Sequence, residues 1–345
     1  MRDTHSEPDM SELLSGGTRS EVRRQRRAKR ELWVLRIIII VALLVGIGAI
    51  GLPMAWQGMS AKQQASTITT ADETVANWPY PQAKIALQKA RKYNRRLLAQ
   101  HQPMLGEASD PFSSLAGASR ATQNDGNDTI AAKDKEYNSL LDQGSGVMGA
   151  IRIPKISVNL PIRHGSSEDT LALGAGHLYG SSLPVGGKGT HAVITAHRGL
   201  PSAAMFTRLD EMRKGDFFYI STMGETLAYE VDRISVIEPT DTSKLKIKAG
   251  EDRVTLMTCT PYGVNTHRLL VSGHRTTMPI PAPNPKDLLD PRKTAFWITS
   301  SIVAIGFVGI SVAGRRRIIR DGTMRHSTRV LLGAHRGLHS GSHAR

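Results

Sequence analysis

A single cysteine, Cys259, stands in this sequence, so no disulfide can close within the chain and the fold rests on its core alone. Aromatic residues are scarce at 5%, whereas hydrophobic residues reach 40%, which excludes a disordered polymer and predicts a core of Val, Ile, Leu and Ala. One Cys among scattered His residues lacks the CxxC pairing of a zinc site, so no metal is expected. No phosphate-cradling glycine loop, βαβ repeat or internal repeat is visible, and no cofactor is expected.

The formal charge is +15, which raises the question of a nucleic-acid partner, but the charge is unevenly spread. Nine Lys/Arg face six Asp/Glu in residues 1–36, and eight Arg face one Asp in residues 315–345, so the two ends hold ten of the fifteen surplus charges. Basic ends of this kind suit anionic lipid headgroups, and no nucleic-acid partner is expected.

Two long uncharged runs adjoin these ends. Ile37 to Leu52 reads IIIIVALLVGIGAIGL and, with Leu32 to Leu35, reaches about the 20 residues a spanning helix requires. Thr294 to Gly314 is the second run, stopped by Arg315, Arg316 and Arg317. Both Arg clusters lie on the side away from the middle of the chain, so the positive-inside rule predicts a two-pass protein of the cytoplasmic membrane with both termini cytoplasmic.

Between the runs, Gln82 to Gln102 carries Ile85, Leu87, Ala90, Tyr93, Leu97 and Leu98 at helical spacing opposite a basic face, which predicts an amphipathic helix. Gly106 to Asp128 has the composition of an exposed loop, interrupted by Asp110, Pro111 and Phe112. Beyond Met148, β-branched or alternating runs predict strands at Ile151 to Ile153, Val158 to Ile162, His191 to Thr195, Phe217 to Ile220, Leu227 to Ile237, Arg253 to Thr258 and Arg268 to Ser272. Glycine-rich punctuation such as Gly174 to Gly176 reads as turns, and the whole favours an antiparallel barrel or sandwich.

Cys259 closes a strand-like run and precedes the turn signal Thr-Pro-Tyr-Gly, so its thiol lies where a strand opens onto a loop. Arg268 opens the next run, and a hairpin of that spacing brings its guanidinium beside the cysteine. A fixed cation there favours thiolate and donates to the oxyanion formed when an amide carbonyl is attacked. His197, ending HAVITAH, is a candidate proton donor and acceptor. The sequence has twelve histidines, and His164, His177, His191, His267 and His274 also lie near these motifs.

The stretch Thr255-Leu256-Met257-Thr258-Cys259-Thr260-Pro261-Tyr262-Gly263, with Arg268 downstream, resembles the active-site segment of sortases. Gly176 to Pro184 and Ile194 to Pro201 resemble the class C, pilus-assembling branch, as do the second apolar run and the Asp110-Pro111-Phe112 triplet. The resemblance implies a mainly β fold: a closed eight-stranded barrel with short helices, an N-terminal helix and lid loop, flanked by two transmembrane helices. It implies a cysteine transpeptidase with Cys259 as nucleophile, His197 as general acid/base, Arg268 stabilising oxyanion and substrate, and Asp110 and Phe112 as a lid over Arg268 and Cys259. It further implies cleavage of LPxTG-like sorting signals on pilin and surface-protein substrates after Thr, and transfer to the acceptor lysine amine of a pilin.

The expected organisation is a basic cytoplasmic tail at 1–36, a membrane helix at 37–53 and an outer helical and lid region at 54–147. The catalytic barrel at 148–280 follows, then a linker at 281–293, a membrane helix at 294–314 and a basic cytoplasmic tail at 315–345. Two rival readings are a housekeeping enzyme joining surface proteins to the cell wall and a non-catalytic membrane receptor with an inert Cys259. With the lid reading, Asp110→Ala or Phe112→Ala makes the Cys259 thiol react faster with a labelling reagent; unchanged labelling kinetics in both variants refute the lid.

Overall fold

The computed structural model describes residues 10–79, 81–102, 105 and 129–278, together with 298, 299, 301, 302, 305 and 306. The chain divides into two compact units, Met1–Pro285 and Lys286–Arg345. In the second unit, Ile298, Thr299, Ser301, Ile302, Ile305 and Gly306 are helical; the remainder of the apolar run at 294–314 and the tail at 315–345 lie outside the described residues, as do the linker at 281–293 and the Asp110-Pro111-Phe112 triplet.

The first unit opens with helix α1, Met10–Ala76, which runs without a break through the apolar stretch and through Pro53. Its segment from Trp33 is long and apolar enough to cross a membrane, and the most apolar window there is not buried against protein at all. Farther along, Ile68, Ala71 and Val75 recur at helical spacing and are buried, so this end of α1 is a docked amphipathic helix. Helix α2, Gln82–Ala99, buries Leu87, Ala90, Asn94 and Leu97, while Ile85 of the expected apolar face is exposed. The amide of buried Asn94 donates to the Leu183 carbonyl (2.9 Å) and accepts from the Leu183 N–H (2.8 Å), joining α2 to a loop of the barrel as one strand joins another.

Two short helices, α3 (Ile130–Lys133) and α4 (Lys135–Ser139), are capped by Thr129 and Asp134, whose side chains accept from Ala132 and Tyr137 N–H groups. The strands follow: β1 Val147–Ile153, β2 Val158–His164, β3 Ala175–His177, β4 Thr190–Thr195, β5 Phe217–Thr222, β6 Glu225–Ile237, β7 Asp252–Thr260 and β8 His267–Thr276, with helix α5 (Glu168–Leu173) between β2 and β3. They close into one barrel in the order β1-β2-β3-β4-β7-β8-β6-β5. Its interior is filled by inward residues such as Ile151, Ile162, Ile194, Phe218, Leu256 and Val271.

Two features correct the expectation from periodicity. The barrel is mixed, because β2 pairs with β3 and β4 with β7 in parallel. Alternation of side chains between faces is the same in both pairings, so it cannot tell them apart. Nor is the glycine run at 174–176 a turn. Its last two residues begin β3, and a Cβ built on Gly176 would lie 2.4 Å from the Gly165 carbonyl oxygen, so glycine serves there to let two backbones meet.

Two buried histidines lock loops onto this frame. His177 contacts the Ser182 carbonyl through Nε2 (2.8 Å) and the Tyr137 hydroxyl through Nδ1 (2.9 Å); a carbonyl only accepts, so Nε2 carries the proton and Nδ1 accepts. By the same logic His191 donates from Nδ1 to the Lys246 carbonyl (3.1 Å) and accepts at Nε2 from Thr255 (2.7 Å). Burial, the largest influence on each, pushes both imidazoles down to about 4 from the ordinary 6.5.

Asn94→Ala leaves both Leu183 backbone groups without their partner and is expected to cost about 1–3 kcal/mol for each, read as a lowered denaturation midpoint. The unfolded chain takes up protons at His177 and His191 near 6.5 and the folded chain only near 4, so stability is held above this window and lost as pH falls through it. A urea midpoint that begins to decline near pH 6.5, above the carboxylate range, is the expected result, and a midpoint flat to pH 5 contradicts it.

Candidate functional site

Along β7 the side chains alternate, with Val254 and Leu256 in the barrel core and Met257 and Cys259 in a second hydrophobic cluster on the outer face. The same parity governs the neighbours. On β8, Leu269 and Val271 point in while Arg268 and Leu270 point out; on β4, Ala192 and Ile194 point in while Val193 and Thr195 point out. The cysteine therefore lies outside the barrel, yet it is fully buried, because Leu171 of α5, Leu178, Ile237 and Leu245 cover this patch and Leu105 packs against it.

Cys259 has a neighbour on each side. In the β7–β8 hairpin it stands directly opposite Arg268. On its other flank the parallel register pairs Thr195 with Met257. Beyond the end of β4 the chain stays attached to β7, since the Ala196 N–H donates to the Met257 carbonyl (3.2 Å) and the Thr258 hydroxyl donates to the Ala196 carbonyl (2.8 Å). That register, carried two residues on, sets His197 level with Cys259. Arg268, Cys259 and, by continuation of that register, His197 thus lie in one row.

Arg268 is 1% exposed despite its charge. Its Nη1 donates to the carbonyls of Asn265 (3.0 Å) and His267 (2.9 Å), and Asn265 turns the loop with a left-handed backbone at φ 61°. One arm of the guanidinium fork is thereby fixed by the hairpin's own backbone. His197 is also buried, and that burial is the main reason its imidazole is pushed below the ordinary 6.5; the carboxylate of Glu168, at the start of α5, partly opposes it.

The other five histidines near these motifs have partners or positions of their own. His177 and His191 hold loops as described, and His164 has Nε2 at 2.8 Å from the Leu140 carbonyl and Nδ1 at 3.1 Å from that of Gly146. His274 pairs with Arg253, at the other end of β7 from Cys259. His267 opens β8 opposite Thr260, exposed to solvent, with Nδ1 at 2.9 Å from the Thr266 hydroxyl.

Two residues that sequence reasoning passed over complete the surroundings. Arg198 reaches across to β7, donating to the Thr260 hydroxyl (3.1 Å) and the Cys259 carbonyl (3.4 Å), while its other nitrogen pairs with Asp210 (2.6 Å) and its guanidinium lies over the Tyr262 ring. It ties the segment carrying His197 to the strand carrying Cys259. Its only signal in the sequence is adjacency to His197. Glu168 had none, because its proximity to His197 arises from the packing of α5. Among the described residues no three His, Cys, Asp or Glu side chains gather as a metal ion would need.

Comparison with known proteins identifies the family. Residues 151–276 match the model of the Sortase domain. Sortase D of Bacillus subtilis is 30% identical over 155 residues, covering 44% of this chain and 74% of that protein. Sortase A of Bacillus anthracis is 31% identical over 136 residues, covering 39% of this chain and 62% of that protein. Among solved structures, sortase C1 of GBS pilus island 1 is 40% identical with a TM-score of 0.54, covering 63% of this chain and 94% of its own. Streptococcus pneumoniae sortase C is likewise 40% identical, with a TM-score of 0.52 and coverages of 61% and 97%. A closed eight-stranded barrel with a lone cysteine ending β7, matched over most of the length of such relatives, shows that this chain belongs to the sortase family of cysteine transpeptidases.

Proposed function

We propose that this protein cleaves an LPxTG-like sorting signal after its Thr and transfers the acyl group to a lysine amine of a pilin subunit, thereby polymerising pili. The row His197–Cys259–Arg268 carries this reading. The Cys259 sulfur attacks the Thr carbonyl carbon as its proton passes to the His197 imidazole. Arg268 donates to the oxygen as it becomes negative. The C–N bond then breaks, His197 passes its proton to the departing glycine amine, and a thioester remains. An incoming lysine amine attacks that thioester, gives a proton to His197, and expels the Cys259 sulfur. No cofactor enters the scheme.

The pilus branch is favoured over a housekeeping role because the similar solved structures at 40% identity are a pilus-island sortase C1 and a pneumococcal sortase C described by its pilin substrate specificity. The Asp110-Pro111-Phe112 lid belongs to the same proposal, and Leu105, packed on the cluster around Cys259, supports a chain path over the site. The two-pass arrangement is proposed with membrane helices at 37–53 and 294–314, tails 1–36 and 315–345 in the cytoplasm, and 54–147, 148–280 and 281–293 outside. A sorting-signal substrate held in the same membrane gains effective concentration from that anchoring.

Intact-mass measurement after incubation with an LPxTG-type peptide tests the chemistry. A peptide-sized adduct is expected on the wild type and none on Cys259→Ala. In the same assay Arg268→Lys, which keeps the charge and loses the fork, is expected to slow adduct formation by about 10²-fold or more. A wild type that forms no adduct, even with residues 110–112 deleted, favours the receptor reading.

A further inference from the structure

Helix α1 does not end where its apolar stretch ends; it continues as one helix along the barrel. At about 1.5 Å per residue, Gln57 lies roughly 7 Å beyond Leu52. There its side-chain amide contacts the carbonyl of Pro201 (3.4 Å), in the loop that follows His197. About two turns farther on, Gln64 contacts Met205, and beyond that Asp72 faces Arg152 of β1 at 4.0 Å. The helix therefore meets the barrel first at the loop after β4 and then runs down its side.

That loop is continuous with the turn after Cys259. A Cβ built on Gly199 would lie 3.0 Å from the Tyr262 ring, so this ring packs directly on the backbone two residues before Pro201. Tyr262 and its loop neighbour Val264 are nonetheless 59% and 60% exposed, large apolar side chains at the rim of a fully buried cysteine. Trp56, just beyond the apolar stretch of α1 and next in sequence to Gln57, is 54% exposed. Trp33 and Trp56 bracket about 35 Å of helix, close to a hydrocarbon core of about 30 Å with an aromatic anchor at each interface.

We infer that the catalytic end of the barrel rests against the outer surface of the lipid bilayer, with Tyr262 and Val264 entering the interfacial layer beside the exit of α1. An amphipathic Tyr and a bare Val suit that layer. The opposite end of the barrel, where Lys188 precedes β4, points away from the membrane. The arrangement presents the thiol to a peptide at the point where it leaves the same membrane. It rests on the membrane reading of α1 and not on the transfer chemistry.

The full chain, reconstituted in phosphatidylcholine and phosphatidylglycerol vesicles containing lipid spin-labelled near the headgroup, provides the test. In a Cys259→Ala background, single cysteines at Val264→Cys, Ser202→Cys, Lys188→Cys and Leu44→Cys carry an environment-sensitive fluorophore. The expected result is quenching at positions 264 and 202 at least twofold greater than at 188, with position 44 quenched by deeply spin-labelled lipid. If 44 is quenched while 264 and 202 behave like 188, the docking is wrong and the membrane span stands. If 44 is not quenched, both fall. The intact-mass assay with soluble peptide is independent of either result.

Discussion

The parallel pairing of β4 with β7 is the contact on which the site depends. The β7–β8 hairpin sets Arg268 opposite Cys259 by local chain geometry, but nothing local brings His197 there, since it is 62 positions away from Cys259 along the chain. Register does so: Thr195 against Met257, then the Thr258 hydroxyl and the Met257 carbonyl gripping Ala196. A slip of one residue would turn His197 to the other face of the sheet and into the barrel core, and the row would be lost. The buried Arg198, bonded to both Thr260 and Asp210, braces the same joint.

Burial then sets the chemistry of that row. The outer face of β4, β7 and β8 is roofed by Leu171, Leu178, Ile237 and Leu245, and Cys259, His197 and Arg268 are all buried. Low polarity penalises the charged imidazole, which is why His197 falls below its ordinary value despite the pull of Glu168. It also strengthens any hydrogen bond that Arg268 makes. The cost is a buried cation, and the Asn265 and His267 carbonyls beneath Arg268 offset part of it.

The barrel is held in a collar formed by α1, α2, α3 and α4. Asn94 of α2 bonds Leu183 in both directions, Tyr137 of α4 bonds His177 and receives the Gly165 N–H (2.9 Å), and Tyr179 bonds the Asp134 cap (2.8 Å). Because α1 is one helix from the apolar stretch to the barrel wall, whatever fixes that stretch also orients the catalytic end.

Much of this was legible in the sequence. Seven of the eight strands announce themselves by alternating or β-branched runs; α2 shows through its 3.6-residue periodicity; and Cys259, Arg268 and their hairpin are close enough in the chain for spacing to relate them. What only the tertiary structure decided are matters of long-range pairing. The strand β3 hides in glycines that serve backbone contact, parallel and antiparallel pairing share one alternation, and Arg198 and Glu168 acquire their partners only when α5 and the loop after β4 fold back on β7. The distinction of His197 from the buried His177 and His191 likewise depends on which strand edge each one reaches, and a chain of twelve histidines does not encode that locally.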